Sequence, residues 1–318
     1  VSWLADLFLG PDVPDDPPMP SRVWLDDTHR VVAYQDRIQV WDAHGAHLAT
    51  HRVTTPWFTV FDGLLIDGAG GARDLATGAL VWQGPLAGRP VVWNDSLVVL
   101  GWHKVWWADR GGLELQRQDV PGLDVSPQAR LLRQGDTLLV CDPMRDGPGR
   151  LDPASGEWVQ GYADAPVMDG CLFQDALITV QDRGLRRWSA DLQEFTWEHQ
   201  PAKGQVVAVD AAEHLAWARR DQQGRLWVDL DGRATQVDEQ TPNRVRLRWA
   251  GGVLAVETWR GVELLGHALE RVEAPERRRK RRPLQAGFAV HDGHLLLAVH
   301  PPRVIDLATS RVTELAAP

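Results

Sequence analysis

The sequence predicts an all-β fold, an eight-bladed β-propeller of four-stranded antiparallel blades, and three observations carry that prediction. Short apolar strands begin at Val31, Leu64, Leu97, Leu138, Leu177, Leu215, Val253 and Leu295, each behind a tight polar turn such as Asp62-Gly63 or Asp292-Gly293. The starts are spaced by 33, 33, 41, 39, 38, 38 and 42 residues, the period of an architecture built from one repeated supersecondary unit. Within the units, period-2 runs, abundant Val and Trp, and Gly, Asn or Asp at frequent turns favour strands over the helix pairs of an α-solenoid. A seven-bladed ring with one irregular unit is the alternative.

Each unit divides into four strands. In the first, Arg22 to Leu25 is the inner strand, Arg30 to Gln35 the second, Arg37 to Asp42 the third and His47 to Val53 the outer one. The second unit reads Trp57 to Phe61, Leu64 to Asp67, Gly71 to Leu75 and Ala79 to Gly84. Second strands such as Leu97-Val98-Val99-Leu100 and Leu295-Leu296-Leu297-Ala298 are continuously apolar, which requires burial on both faces. A blade sandwiched between two neighbours supplies that burial. Because all eight units contain four strands, closing the ring does not require the two ends to share a blade.

Two segments stand outside the repeat, dividing the chain into an N-terminal segment, 1–21, and a propeller, 22–318. Residues 1–9 form an amphipathic pattern with Trp3, Leu4, Leu7 and Phe8 on one helical face, followed by five prolines between Gly10 and Pro20 that favour an extended linker. Such a segment either packs on its own propeller or docks into a groove of another protein through Trp3, Leu7 and Phe8. The second is the run Arg277-Arg278-Arg279-Lys280-Arg281-Arg282 between the seventh and eighth units, which holds six of the 34 basic residues. It reads as a solvated loop or as an anion-binding element.

Composition bounds the function. The chain has 318 residues, 44% hydrophobic and 24% charged, with a net charge of −9, an ordinary globular composition that argues against indiscriminate nucleic-acid binding. The only cysteines, Cys141 and Cys171, form neither a disulfide framework nor a zinc pattern. No apolar run is long enough to span a membrane. The first residues lack a basic segment and a cleavage site, so cytoplasm is the expected compartment; a chain whose signal had been removed would read the same and place the protein in the periplasm or outside the cell.

The stretch Ala72-Arg73-Asp74-Leu75-Ala76-Thr77-Gly78-Ala79-Leu80-Val81-Trp82 resembles the A-x-D-x-x-T-G-x-x-x-W repeat of PQQ-like, quinoprotein-type propellers. Its chemistry is readable on its own: Asp74 and Thr77 satisfy turn amides, Gly78 takes a positive φ, and Trp82 covers the next blade. Degenerate copies follow at Asp152 to Trp158 and Asp306 to Ser310, and Trp41-Asp42 is distantly similar to WD40 repeats. The resemblance implies an eight-bladed ring. Quinone-dependent members carry a vicinal disulfide and acidic calcium ligands, and neither pattern is present, so no cofactor is expected. Non-catalytic members of the family, such as the lipoprotein that assists outer-membrane barrel assembly, act as interaction platforms.

No phosphate-binding Gly loop, H-E-x-x-H, G-x-S-x-G or C-x-x-C motif occurs, so no catalytic residue and no metal site are expected. His44, His47, His51 and the His291-Asp292-Gly293-His294 turn read as surface histidines. Trp82, Trp158, Trp188, Trp227 and Trp249 fall at positions that seal blade against blade. Trp102 and Trp259 do not; they lie in loops joining second to third strands, which emerge on the same face as the inter-blade connections. Seven of those eight loops carry Arg or Lys, and Arg and Trp together compose interaction hot spots. The candidate partner-binding residues are therefore Trp102, His103, Lys104, Arg183, Arg219, Arg220, Trp259 and Arg260, with the Arg277 to Arg282 block on the same side. The expected function is a non-catalytic platform for a protein with an acidic surface, with nucleic acid second. A catalytic or small-ligand site at the channel mouth is the rival.

Overall fold

The computed structural model describes residues 22–34, 36–53, 58–68, 70–83, 89–93, 96–109, 116–126, 129–181, 184–199, 204–241, 245–250, 252–258, 261–266, 271–273, 288–297, 302–309 and 311–316. They form eight four-stranded sheets, each with its strands in sequential antiparallel order, arranged as an eight-bladed β-propeller. The seven-bladed alternative does not apply.

Turn chemistry explains why the strands start where they do. Asp62 and Gly63, and Asp292 and Gly293, all have positive φ, the hairpin geometry whose twist matches that of the flanking strands. The first blade comprises Arg22–Leu25, His29–Ala33, Arg37–Asp42 and His47–Arg52, and the second Phe58–Phe61, Leu64–Asp67, Gly71–Asp74 and Leu80–Gln83, within two residues of the sequence-based boundaries. In the A-x-D-x-x-T-G turn, the Asp74 carboxylate accepts from the Thr77 amide and hydroxyl, both at 2.7 Å. Gly78 sits at φ 76° and donates its amide to the Asp74 carbonyl at 2.9 Å. Asp152 repeats the arrangement with Ala154 and Ser155, and Asp306 with Ala308 and Thr309.

Burial follows the sandwich logic. Leu97, Val98, Val99 and Leu100 are all buried, as are Leu295 and Leu296. The core is accordingly divided into eight apolar clusters, each between two adjacent blades. Trp82 packs into the cluster of blades 2 and 3, Trp158 into that of blades 3 and 4, Trp188 into that of blades 4 and 5, and Trp249 into that of blades 6 and 7.

The ring closes without a shared strand. Blade 8, made of Phe288–His291, His294–Leu297, Arg303–Asp306 and Arg311–Glu314, packs against blade 1 across a shared apolar cluster. Leu25, Val32, Tyr34 and Trp41 pack there against Leu296, Val304 and Leu315. The Trp41 indole donates to the Ala316 carbonyl at 2.7 Å, and the Ala316 amide to the Gly45 carbonyl at 3.0 Å.

Two sequence expectations change. His51 is buried, not a surface residue, because its outer strand turns it inward over Gly78 and the motif turn of blade 2. Burial, with the charge of Arg73, holds its pKa below the ordinary imidazole value. Among the described residues, Trp227 joins no inter-blade cluster. Its indole donates to Asp221 at 2.9 Å, and the Arg219 and Arg225 guanidinium groups lie over its ring at 5.2 and 5.8 Å.

Candidate interaction face and axial channel

The face that carries the second-to-third-strand loops and the inter-blade connections is built as a hydrogen-bonded layer over blades 3 to 5. In blade 3, the loop between Ser96–Gly101 and Lys104–Asp109 is pinned by His103, whose φ of 55° turns the chain back. The His103 amide donates to the Leu123 carbonyl at 2.7 Å, its carbonyl accepts from the Val120 amide at 2.9 Å, and its Nδ1 accepts from the Gly122 amide at 3.1 Å. With His103 committed to the connection leading into blade 4, the adjacent Trp102 is turned outward and left 72% exposed. Lys104, half-buried, begins the next strand.

The blade 4 loop continues the layer. Asp142 is buried and accepts from the Ser126 amide at 2.7 Å, the Ser126 hydroxyl at 2.6 Å and the Met144 amide at 3.0 Å. Arg145 donates to the Asp124 carbonyl at 2.9 Å and to Gln160 at 2.8 Å. The connection to blade 5 is tied to the same loop, the Gly161 amide to the Pro148 carbonyl at 2.9 Å and the Val167 amide to the Arg145 carbonyl at 3.2 Å. Gln181 reaches back to the Ala165 carbonyl, and Arg186 pairs with Asp164 while lying 4.1 Å over the Phe195 ring. On this fastened layer Met144 is 76% exposed, Tyr162 83% and Met168 50%.

The predicted site residues are distributed unevenly over this geometry. Trp102, His103 and Lys104 belong to the layer. Arg219 and Arg220 end the second strand of blade 6; Arg219 is ion-paired with Asp229 at 2.8 Å and Arg220 is half-buried. Beside them, burial disfavours ionisation of Asp221, but hydrogen bonds from the Arg225 amide and guanidinium, the Trp227 indole and the Gln223 amide outweigh it and bring its pKa to about 2. Trp3, Leu7, Phe8, Arg183, Trp259, Arg260, Arg277, Arg278, Arg279, Lys280, Arg281 and Arg282 lie outside the described residues. Sequence reasoning missed Met144, Tyr162 and Met168. The available signal was that both long connections, 142–149 and 161–168, place large apolar residues among Gly, Pro and Asp where no strand period calls for them.

The first strands of the blades surround the axis, and among the described residues a charged cluster joins those of blades 4 to 7. Arg130, opening the inner strand of blade 4, donates to Asp169 of blade 5 at 3.1 Å, to Asp210 of blade 6 at 2.5 Å and to the Val209 carbonyl at 2.8 Å. Burial alone would lower the Arg130 pKa, but the two carboxylates hold it above the ordinary value. Each carboxylate also accepts a backbone amide from the next blade: Asp169 from Val209 at 3.1 Å and Asp210 from Trp249 at 2.8 Å. Arg248 of blade 7 stands in the same field, its pKa lowered to about 10 by burial and then by the charge of Arg130. Blades 1 to 4 line a cavity of about 210 Å³ with Val23, Trp24, Phe58, Pro90, Val91 and Leu131. Cys141 and Cys171 are free and buried, and burial pushes the Cys141 thiol up to about 12. Among the described residues no group of His, Cys, Asp and Glu is arranged to hold a metal ion, and no helix is long and apolar enough to cross a membrane.

No family model matches the chain, and no curated protein does. Solved structures do. The computationally designed Ika8 protein is similar at 12% identity over 89% of this chain and 93% of its own, with a TM-score of 0.65. The dihydro-heme d1 dehydrogenase NirN, in complex with DHE, is similar at 13% identity over 93% of this chain and 75% of its own, with a TM-score of 0.61. PorZ of Porphyromonas gingivalis, described as a bacterial surface component of the type-IX secretion system, is similar at 14% identity over 95% of this chain and 38% of its own, with a TM-score of 0.56. At such identities the likeness is one of fold alone, that of a β-propeller.

Proposed function

We propose that this propeller is a non-catalytic platform that captures a protein partner through the loop layer over blades 3 to 5, with Trp102, Tyr162 and Met144 as anchors. The observation that carries the reading is the exposure of these side chains on loops whose backbones are held by Asp142, Arg145 and His103. Large apolar groups on a rigid support lose little conformational freedom on binding, which is how a few residues dominate an interface. An acidic partner surface follows from the six consecutive basic residues Arg277 to Arg282 of the sequence, and is a separate, salt-sensitive component.

The test is site-specific photo-crosslinking in cells. Probes at Trp102 and Tyr162 trap one discrete partner, and a probe at Leu80 on the outer strand of blade 2 does not. The double substitution W102A/Y162A abolishes that adduct while leaving the thermal transition unchanged. Equal labelling from all three positions refutes the assignment. Affinity for the trapped partner that falls with the steep logarithmic salt slope of phosphate binding favours the nucleic-acid reading. Fractionation distinguishes the cytoplasm, expected from the sequence, from the cell surface, where PorZ is described.

The axial cavity supports a second reading, a small apolar ligand against Trp24 and Phe58. In this channel the Arg130 charge is already committed to Asp169 and Asp210, so polar recognition there would fall to other groups.

A further inference from the structure

The closure seam between blades 8 and 1 contains a cavity of about 290 Å³, separate from both the axial channel and the loop layer. Blade 1 contributes Arg30 and His44 to its wall, and blade 8 contributes His294, Asp306, Arg311 and Thr313. The three blade 8 residues His294, Asp306 and Arg311 form one rung across adjacent strands, because His294 pairs with Asp306 and Asp306 with Arg311. The cavity is thus a gap bounded by two cationic side chains and two imidazoles from opposite sides of the seam.

Arg30 is the informative residue. It is only 6% exposed, and its guanidinium is oriented by donation to the Asp26 carbonyl and, at 3.1 Å, to the His29 carbonyl. Its Nε is buried and has no hydrogen-bond partner among the described residues. With Nε closed to solvent and NH1 committed to the two carbonyls, NH2 is the nitrogen that Arg30 offers to an acceptor in the gap. Asp306 lines the same cavity, but its carboxylate is held by the Ala308 and Thr309 amides of its own turn at 2.9 and 3.1 Å. Asp26, Asp27 and Asp42 lie in the field of Arg30 and moderate its charge without lining the gap.

We propose that this seam binds a small phosphate monoester, held by Arg30 from blade 1 and Arg311 from blade 8, and that its binding clamps the ring closed. Arginine is suited to oxyanions because its fork offers several donors in fixed geometry. The donors here approach from two blades, so a tetrahedral group, whose oxygens diverge, reaches both sides where a planar carboxylate reaches one. Closure is the property a seam ligand would affect, since no strand is shared between the chain ends. A ligand that binds only the closed ring stabilises it by mass action.

The experiment is a thermal-unfolding titration of the full chain, followed by tryptophan fluorescence, with inorganic phosphate and glycerol 2-phosphate against chloride and acetate at matched ionic strength. Both phosphates raise the transition temperature saturably, and chloride and acetate do not. R311Q, at an exposed position, shifts half-saturation by about tenfold or more, as expected for losing a charged hydrogen-bonding partner. R303Q, which removes a guanidinium of the same blade outside the cavity, leaves half-saturation where it was. Hydrogen exchange at 43–46 and 311–316 slows with phosphate in the wild type and not in R311Q. Equal stabilisation by acetate, or a phosphate response unchanged in R311Q, overturns the proposal.

Discussion

Arg130 ties three consecutive blades together at the axis, and its removal tests whether that contact organises the ring. In R130M, Asp169 and Asp210 keep one backbone donor each, from Val209 and Trp249, and lose the guanidinium bonded to both. Breaking a buried ion pair by deleting one partner costs about 3 to 5 kcal/mol. The two retained amides place the expected cost at the lower end, about 3 kcal/mol. With an unfolding entropy of about 2.1 cal/mol/K per residue, 318 residues give about 0.7 kcal/mol/K, so the melting temperature falls by about 4 to 5 °C. Circular dichroism melts measure this directly. Replacing all three groups, as R130M/D169N/D210N, removes the unpaired charges and recovers at least half of the loss. An R130M variant that melts within about 1 °C of the wild type refutes a structural role for the cluster.

The turn carboxylates make a complementary acid-stability expectation. Asp42, Asp74, Asp152 and Asp306 have pKa values lowered chiefly by hydrogen bonds from their own turns, and Asp221 lies at about 2. A carboxyl with a depressed folded-state pKa contributes stability above its unfolded value and loses it as pH falls, so denaturant midpoints decline from about pH 4 downward, and D221N flattens the lowest part of that decline. His51 acts in a higher window. Its lowered folded-state pKa means that it stabilises fully above the unfolded value of about 6.5 and progressively less below it. H51F removes the slope between about pH 6.5 and 5 in the same titration, and an unchanged slope would show that the buried imidazole is not its source.

Much of the ring was legible because its causes are local. The Asp62-Gly63 and Asp292-Gly293 turns impose hairpin geometry within four residues, and the Asp74 to Trp82 motif combines a turn, a positive φ and an inter-blade seal in one stretch. His51 was not legible, since its burial depends on which neighbouring blade faces its outer strand. Trp227 was misread for a related reason: its third-strand position allows either an inter-blade seal or a loop cap, and Asp221, Arg219 and Arg225 decide for the cap.

The candidate sites divide along the same physical line. Arg130, Asp169, Asp210 and Arg248 recur at spacings of 39, 41 and 38 residues, close to the blade period, and so occupy equivalent inner strands. Alignment of the repeats alone could have placed them at the axis, though not shown that Arg130 spans two carboxylates. Met144, Tyr162 and Met168 have no counterpart in the period. They are exposed because Asp142, Arg145 and the Gly161 to Val167 connection fasten the backbone beneath them, a set of contacts between residues 13 to 22 positions apart. Residues that obey the repeat are thereby spent on building the ring. Those that depart from it are fixed in place without being needed for blade construction, which is the condition under which an exposed aromatic side chain is free to serve an interface.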